Sequence, residues 1–154
     1  RYKWDCPPEE MYARLCEMDQ TLQLPISATE FEMADTPRFQ WTEKTRAEMT
    51  ERVMTVYFSH PSVISILAWT VIDRDKNQKG LANPDGKLKP NGKVWHYLTK
   101  QRWHTDETKT TDTTGAVSFR GFKGDYRYTI EHGDNRTEGT FKLNQSQKMT
   151  LTLQ

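Results

Sequence analysis

Val63 to Trp69 reads VISILAW, seven residues of which Ser65 alone is polar. A run this short and this apolar fits a strand covered on both faces, the situation of a parallel sheet with helices outside it. Its flanks agree. Upstream, His60-Pro61 breaks a helix expected from about Thr42 to Ser59, with Ala47, Val53, Met54, Tyr57 and Phe58 as its buried stripe and charges opposite. Further upstream, Pro7-Pro8-Glu9-Glu10 starts a first helix, with Asp5 as its cap and acids at the positive end of the dipole. Met11, Leu15, Met18 and Leu22 then recur at helical spacing until Pro25. Ile26 to Met33 is the second expected strand, followed by a loop holding Asp35-Thr36-Pro37. Downstream of Trp69 comes a polar loop, Asp73 to Lys89, with a turn at Asn83-Pro84-Asp85-Gly86, and a third helix from about Pro90 to Arg102. Helix, strand, helix, strand, helix is an α/β order with parallel strands. Two strands make no independent sheet of that kind, so their outer neighbours are expected from elsewhere.

Near Trp103 the pattern changes. Short alternating strands are expected at Lys109–Thr111, Ala116–Arg120, Tyr126–Glu131, Gly139–Leu143 and Lys148–Leu153, separated by turn residues around Gly115, Gly124 and Gly133. Such a spacing predicts a small antiparallel β-sandwich. The expected fold class is α/β plus all-β, with residues 1–102 as one domain and 103–154 as the other.

The bulk composition excludes several classes. Of 154 residues, 34% are hydrophobic and 28% charged, and an aromatic share of 11% is too high for a disordered chain. Lys and Arg number 22 against 21 Asp and Glu, so no bulk field draws nucleic acid or acidic lipid. No apolar run approaches the roughly 18 residues of a membrane span. The opening RYKWDCPP has neither Met nor a legible leader, and is expected to be a piece cut from something longer, or a mature or engineered segment. Cys6 and Cys16 form no CxxC, and His60, His96, His104 and His132 share no ligand spacing, so neither a metal nor a cofactor is expected. Asn135-Arg136-Thr137 fits a glycosylation sequon, a short and common pattern.

One segment breaks its own rule. Leu24 to Met33, LPISATEFEM, reads as a core strand yet carries Glu30 and Glu32. Residues two apart on a strand share a face. In a barrel of parallel strands the carboxyl ends build the active site. Glu30 sits late in its strand and Trp69 ends the next one. A carboxylate and a tryptophan at adjacent strand ends suit a sugar, one meeting developing positive charge and the other stacking on the apolar ring face.

At these residues the sequence resembles the family 10 glycoside hydrolases, endo-β-1,4-xylanases built on a (β/α)8 barrel. PPEEMYARLCEMDQTLQLPISATEFEM is similar to that family's sixth helix and seventh strand. Thr29-Glu30-Phe31-Glu32 matches its motif of Thr-Glu, an apolar residue and an acid. HPSVISILAWTVIDR resembles the eighth strand with its terminal tryptophan, and GLANPDGKLKPNGKVWHYL the last loop and helix. The likeness covers about residues 1–102. It implies the last two strands and three helices of a TIM barrel, with Glu30 as nucleophile of a retaining mechanism. It also implies Glu32 in the supporting position the family gives to Asp, and Trp69, Asp73 and Arg74 on the substrate. The family's acid/base glutamate and sixth-strand histidine would lie upstream. The implied partners are a xylan-like polysaccharide and the remaining barrel portion, in an extracellular or periplasmic protein.

A retaining pair stands about 5–5.5 Å apart across the sugar. Glu30 and Glu32 are roughly 6.5–7 Å apart by strand rise and lie on one side of any substrate. They are not that pair, and the chain alone is expected to be inactive.

Thr111 to Ile130 resembles the transthyretin-like or carboxypeptidase-regulatory-like sandwiches appended to secreted hydrolases. There, Phe122, Tyr126 and Tyr128 either meet polysaccharide or pack as a structural appendage. The alternative for the whole chain is a non-catalytic carbohydrate-binding or scaffold protein.

Overall fold

A computed structural model describes residues 6–35, 40–74 and 78–151. The expected Asp5 cap, the Thr36-Pro37 portion of the loop and the last residues of the final expected strand, Thr152 and Leu153, lie outside the described residues. The chain divides into two compact units, Arg1–Arg102 and Trp103–Gln154.

In the first unit, α1 (Pro8–Leu22) starts with Pro in the first turn, where its missing N–H costs no hydrogen bond, and with Glu9 and Glu10 at the positive end of the helix. It stops at Gln23, which turns left-handed (φ 51°) and donates its amide to the Asp19 carbonyl at 2.8 Å. β1 (Ile26–Phe31) follows. α2 (Glu43–Ser59) is opened by a reciprocal cap: the Thr42 hydroxyl accepts the Thr45 amide at 3.1 Å, and the Thr45 hydroxyl accepts the Thr42 amide at 3.1 Å. Pro61 lies just past its end at His60. β2 (Val63–Ala68), then α3 (Pro90–Tyr97) and one π-helical turn (Leu98–Arg102), complete the unit.

β1 and β2 pair in parallel, Ile26 opposite Val63 and Phe31 opposite Ala68. Ile26 packs with Leu15 of α1 and Val56 of α2, and Met11, Tyr57 and Val63 close around them. That cluster sits where the strands begin. The expected helical stripes are only partly buried: Leu15 and Met54 are interior, while Met18, Leu22 and Phe58 are exposed. On α2 one buried row is instead Arg46, Thr50 and Met54, one turn apart, while Val56 is buried on a different side, with Leu15 and Ile26. β2 is apolar on both sides, as expected, but Ile64 and Leu67 are exposed, so the helices cover one face only. No closed barrel forms among the described residues.

The second unit is built on one hairpin. β3 (Gly124–His132) and β4 (Asn135–Leu143) pair antiparallel in unbroken register around Gly133, whose φ of 59° suits the tight turn. Its half-buried face carries Tyr126, Tyr128, Ile130 and Phe141, and its other face Arg127, Glu131, Glu138 and Lys142. Tyr126 stacks on its cross-strand partner Phe141 at 5.1 Å and 15°. Tyr128 lies over Gly139, where any Cβ would collide with its ring. The expected sandwich is not formed among the described residues. Residues 109–111, 116–120 and 148–151 carry no strand ladder. Between the first two of these stretches a local interaction competes with pairing. The Asp112 carboxylate accepts the amides of Thr114 and Ala116, each at 2.9 Å, and folds the backbone into a turn. Phe119 reaches the sheet through its ring, 5.9 Å from Tyr126, rather than through backbone bonds.

Candidate functional site at the carboxyl ends of the strands

Because β1 and β2 are parallel, their carboxyl ends lie together. The Trp69 amide donates to the Phe31 carbonyl at 3.1 Å, which seats Trp69 beside the end of β1. Trp69 is 59% exposed.

Glu30 reaches this rim through an irregularity of the strand. Between Ala28 and Phe31, β1 has one residue more than β2 has between their partners Ile66 and Ala68. Ile26 packs on α1 and α2, and Phe31 packs on Trp95 of α3 at 5.6 Å. Five residues apart, these two would fall on opposite faces of a regular strand. The extra residue lets both meet the helices and leaves Glu30 on the open side. The Glu30 side chain is exposed and has no hydrogen-bond or ion-pair partner among the described residues.

Glu32 is in different surroundings. It lies past the strand end, half-buried, with Oε2 accepting from the Thr70 hydroxyl at 3.0 Å and Oε1 paired to Lys79 Nζ at 3.3 Å. The two glutamates of the motif therefore divide in role: one carboxylate is open, the other holds two points of the loop after β2.

Asp73 is buried. Its Oδ1 accepts the Gly80 amide at 2.6 Å and its Oδ2 the Lys89 ammonium at 2.9 Å, so both oxygens are engaged in holding the loop. Arg74, next to it, is exposed. Below the loop lies a charged layer that sequence reasoning missed. Arg46, 1% exposed, donates to the Met33 carbonyl at 2.6 Å and to Asp35 at 3.1 Å. Arg46 and Lys89 both donate to the Gln78 carbonyl, each at 2.5 Å. Glu43 stands 3.9 Å from Lys89. Asn91 donates to the Gly80 carbonyl at 3.1 Å. The available signal was weak: an arginine on the apolar face of a helical pattern, and a Lys-Pro opening a helix.

No group of acids, histidines and cysteines able to hold a metal occurs among the described residues. Cys6 is buried and Cys16 half-buried. Two open clefts of about 510 and 490 Å³ lie elsewhere in this unit, one beside Pro25 and Pro61 and one beside Glu43 and Lys89, and neither is lined by Glu30 or Trp69. Chemically the rim offers a carboxylate without a partner among the described residues and an exposed apolar ring at the ends of neighbouring strands.

No family model matches the chain. In sequence it is 33% identical over 127 residues, 80% of its length, to the anti-sigma-I factor RsgI6 of Acetivibrio thermocellus. It is 30% identical over 141 residues, 86% of its length, to endo-1,4-beta-xylanase 1 of Arabidopsis thaliana. The chain spans 16% and 14% of those two proteins. Each match covers more of the chain than the first unit contains, so the similarity runs on into the second unit. Among solved structures it is similar to the β-glucuronidase of Ruminococcus gnavus, with a TM-score of 0.48 and 26% identity over 63% of this chain and 18% of that one. It is also similar to the β-glucuronidase of Faecalibacterium prausnitzii, with a TM-score of 0.47 and 20% identity over 66% of this chain and 20% of that one.

Proposed function

We propose that the chain is part of a retaining glycoside hydrolase of the family 10 type, acting on β-1,4-xylan or a related plant polysaccharide outside the cell. The carrying observation is an exposed Glu30, with no partner among the described residues, and an exposed Trp69 at the carboxyl ends of two paired parallel strands. Glu30 is the nucleophile: its carboxylate attacks the anomeric carbon as the glycosidic bond breaks, giving a glycosyl-enzyme ester that water then hydrolyses. Trp69 holds the sugar by its apolar face. Glu32 supports the loop and takes no part in bond breaking, since Thr70 and Lys79 occupy its oxygens. A second carboxyl group across the sugar must protonate the leaving oxygen. It comes from the remaining barrel portion, so the chain by itself is inactive.

The test is xylan hydrolysis by this chain alone and with the remaining barrel portion of its parent protein supplied. Activity only in the mixture, lost by a factor of at least about 10⁴ in Glu30→Gln, is the expected result. Hydrolysis that survives Glu30→Gln would remove the nucleophile from this strand. A second reading is favoured by the similarity to an anti-sigma factor, a protein not named for hydrolysis: the same rim recognises carbohydrate without cleaving it. In that case xylo-oligosaccharides bind, Trp69→Ala abolishes binding, and no hydrolysis appears in the mixture.

A further inference from the structure

We propose that Lys79 and Glu32 form a positioning pair that sets Trp69 beside Glu30; this rests on the reading of the rim as a sugar site. Glu32 binds the loop after β2 at two separate points. One is Thr70, the immediate neighbour of Trp69, and the other is Lys79, nine residues further on. With the Trp69 amide on the Phe31 carbonyl, the backbone and a side chain together tie the start of the loop to the end of β1. The far point is itself held rigidly. Gln78, next to Lys79, has a φ of 45°, a left-handed conformation uncommon for a residue with a Cβ. Its carbonyl accepts from both Arg46 and Lys89, two cations almost wholly inside the protein and themselves paired to Asp35 and Asp73. Two buried cations, each in an ion pair, thus fix Gln78, Gln78 aims Lys79, Lys79 holds Glu32, and Glu32 holds the residue beside Trp69. Lys79 is 25% and Glu32 20% exposed, so the pair is partly shielded from water and its geometry is more defined than that of a surface ion pair.

The experiment uses the full chain with 15N-labelled tryptophan, following the Trp69 indole resonance (assigned with Trp69→Phe) and xylohexaose affinity by calorimetry. Lys79→Met is expected to move the Trp69 resonance and weaken binding by about tenfold, a modest loss for a displaced sugar platform. Lys79→Arg is expected to restore both. Glu32→Gln, which keeps an acceptor for Thr70 but loses the charge, is expected to match Lys79→Met. An unmoved Trp69 resonance in Lys79→Met would overturn the proposal. If the unsubstituted chain binds no xylohexaose, the sugar-site reading falls, and the resonance alone still decides whether Lys79 positions Trp69.

Discussion

The two ends of the β1–β2 sheet are made of different matter. Where the strands begin, Ile26 and Val63 meet Leu15, Val56, Met11 and Tyr57, and the interior is apolar. Where they end, the interior beneath the loop is Arg46, Asp73, Lys89 and Asn91. One helix serves both: α2 begins with Glu43 and Arg46 near the ends of the strands and finishes with Val56 and Tyr57 near their beginnings. An apolar cluster is tolerant of direction and gains stability from area alone. A charged cluster is costly to bury and is held only in a geometry that satisfies each group. What the second arrangement provides is placement, since each ion pair pins a particular carbonyl or amide of the loop. The end of the sheet with the open glutamate is the end with the pinned loop.

The largest effect expected from breaking this contrast is at Lys89. Lys89→Ala leaves Asp73, 6% exposed, without its cation and costs about 3–5 kcal/mol in urea unfolding. Leu15→Ala, at the apolar end, costs about 2–5 kcal/mol by the same measurement. The two variants separate in kind. Under native conditions Leu15→Ala leaves the Trp69 indole resonance where it is, whereas Lys89→Ala moves it, because the loop that seats Trp69 has lost its anchor. Equal responses at Trp69 would mean that the charged layer is a core like the other.

The same contrast explains what was legible in the sequence. Apolar periodicity announces its own partners, so β1, α2 and β2 could be read in order, and the cluster of Leu15 and Ile26 with them. A buried cation announces little. Arg46 stands in a helical pattern rich in charges, where the usual reading is a solvated face, and its acceptors are Met33 and Gln78, 13 and 32 residues away. The placement of Glu30 was legible as to strand and end, because parallel order puts both carboxyl ends together. The extra residue that turns it to the open side was not, since an irregular register exists only between two strands. In the second unit, the alternation of Tyr126, Tyr128 and Ile130 located β3, and the Gly133 turn located β4. The threonines from Thr108 to Thr114 have the same β preference, yet Asp112 captures the backbone locally before a ladder can form.

A smaller effect tests whether the first turn of α2 belongs to the placing end. Thr42→Ala removes the acceptor for the Thr45 amide and costs about 1 kcal/mol of stability. If α2 frays there, Arg46 is the first buried group to feel it, and amide exchange is expected to speed up at Arg46 and in the Gln78–Gly80 stretch before it does so around Val56. Uniform acceleration along the helix would show that its two ends are not separable.

The smallest effect concerns an acid that shapes backbone in the open, the counterpart of Glu32 and Asp73 in the other unit. Asp112 accepts from the Thr114 hydroxyl at 2.6 Å and from two amides, and the Thr114 hydroxyl, followed by the Ala116 and Thr114 amides, holds its carboxyl below the usual value of 3.8. A carboxyl depressed in the folded state stabilises the turn above its unfolded value, and that contribution fades as pH falls through the folded one. Between pH 7 and 5 the Thr114 and Ala116 amide resonances therefore stay fixed, and below about pH 3.8 they drift toward unstructured positions. In Asp112→Asn no such acid transition exists, since the amide oxygen still accepts but does not titrate. Asp112 owes its turn to neutral donors in the open, whereas Asp73 is paired to the Lys89 cation inside the first unit, where ionic strength has little effect. Acids of both units thus fold backbone by the same hydrogen bonds, and burial alone decides whether the arrangement is a labile turn or a fixed platform.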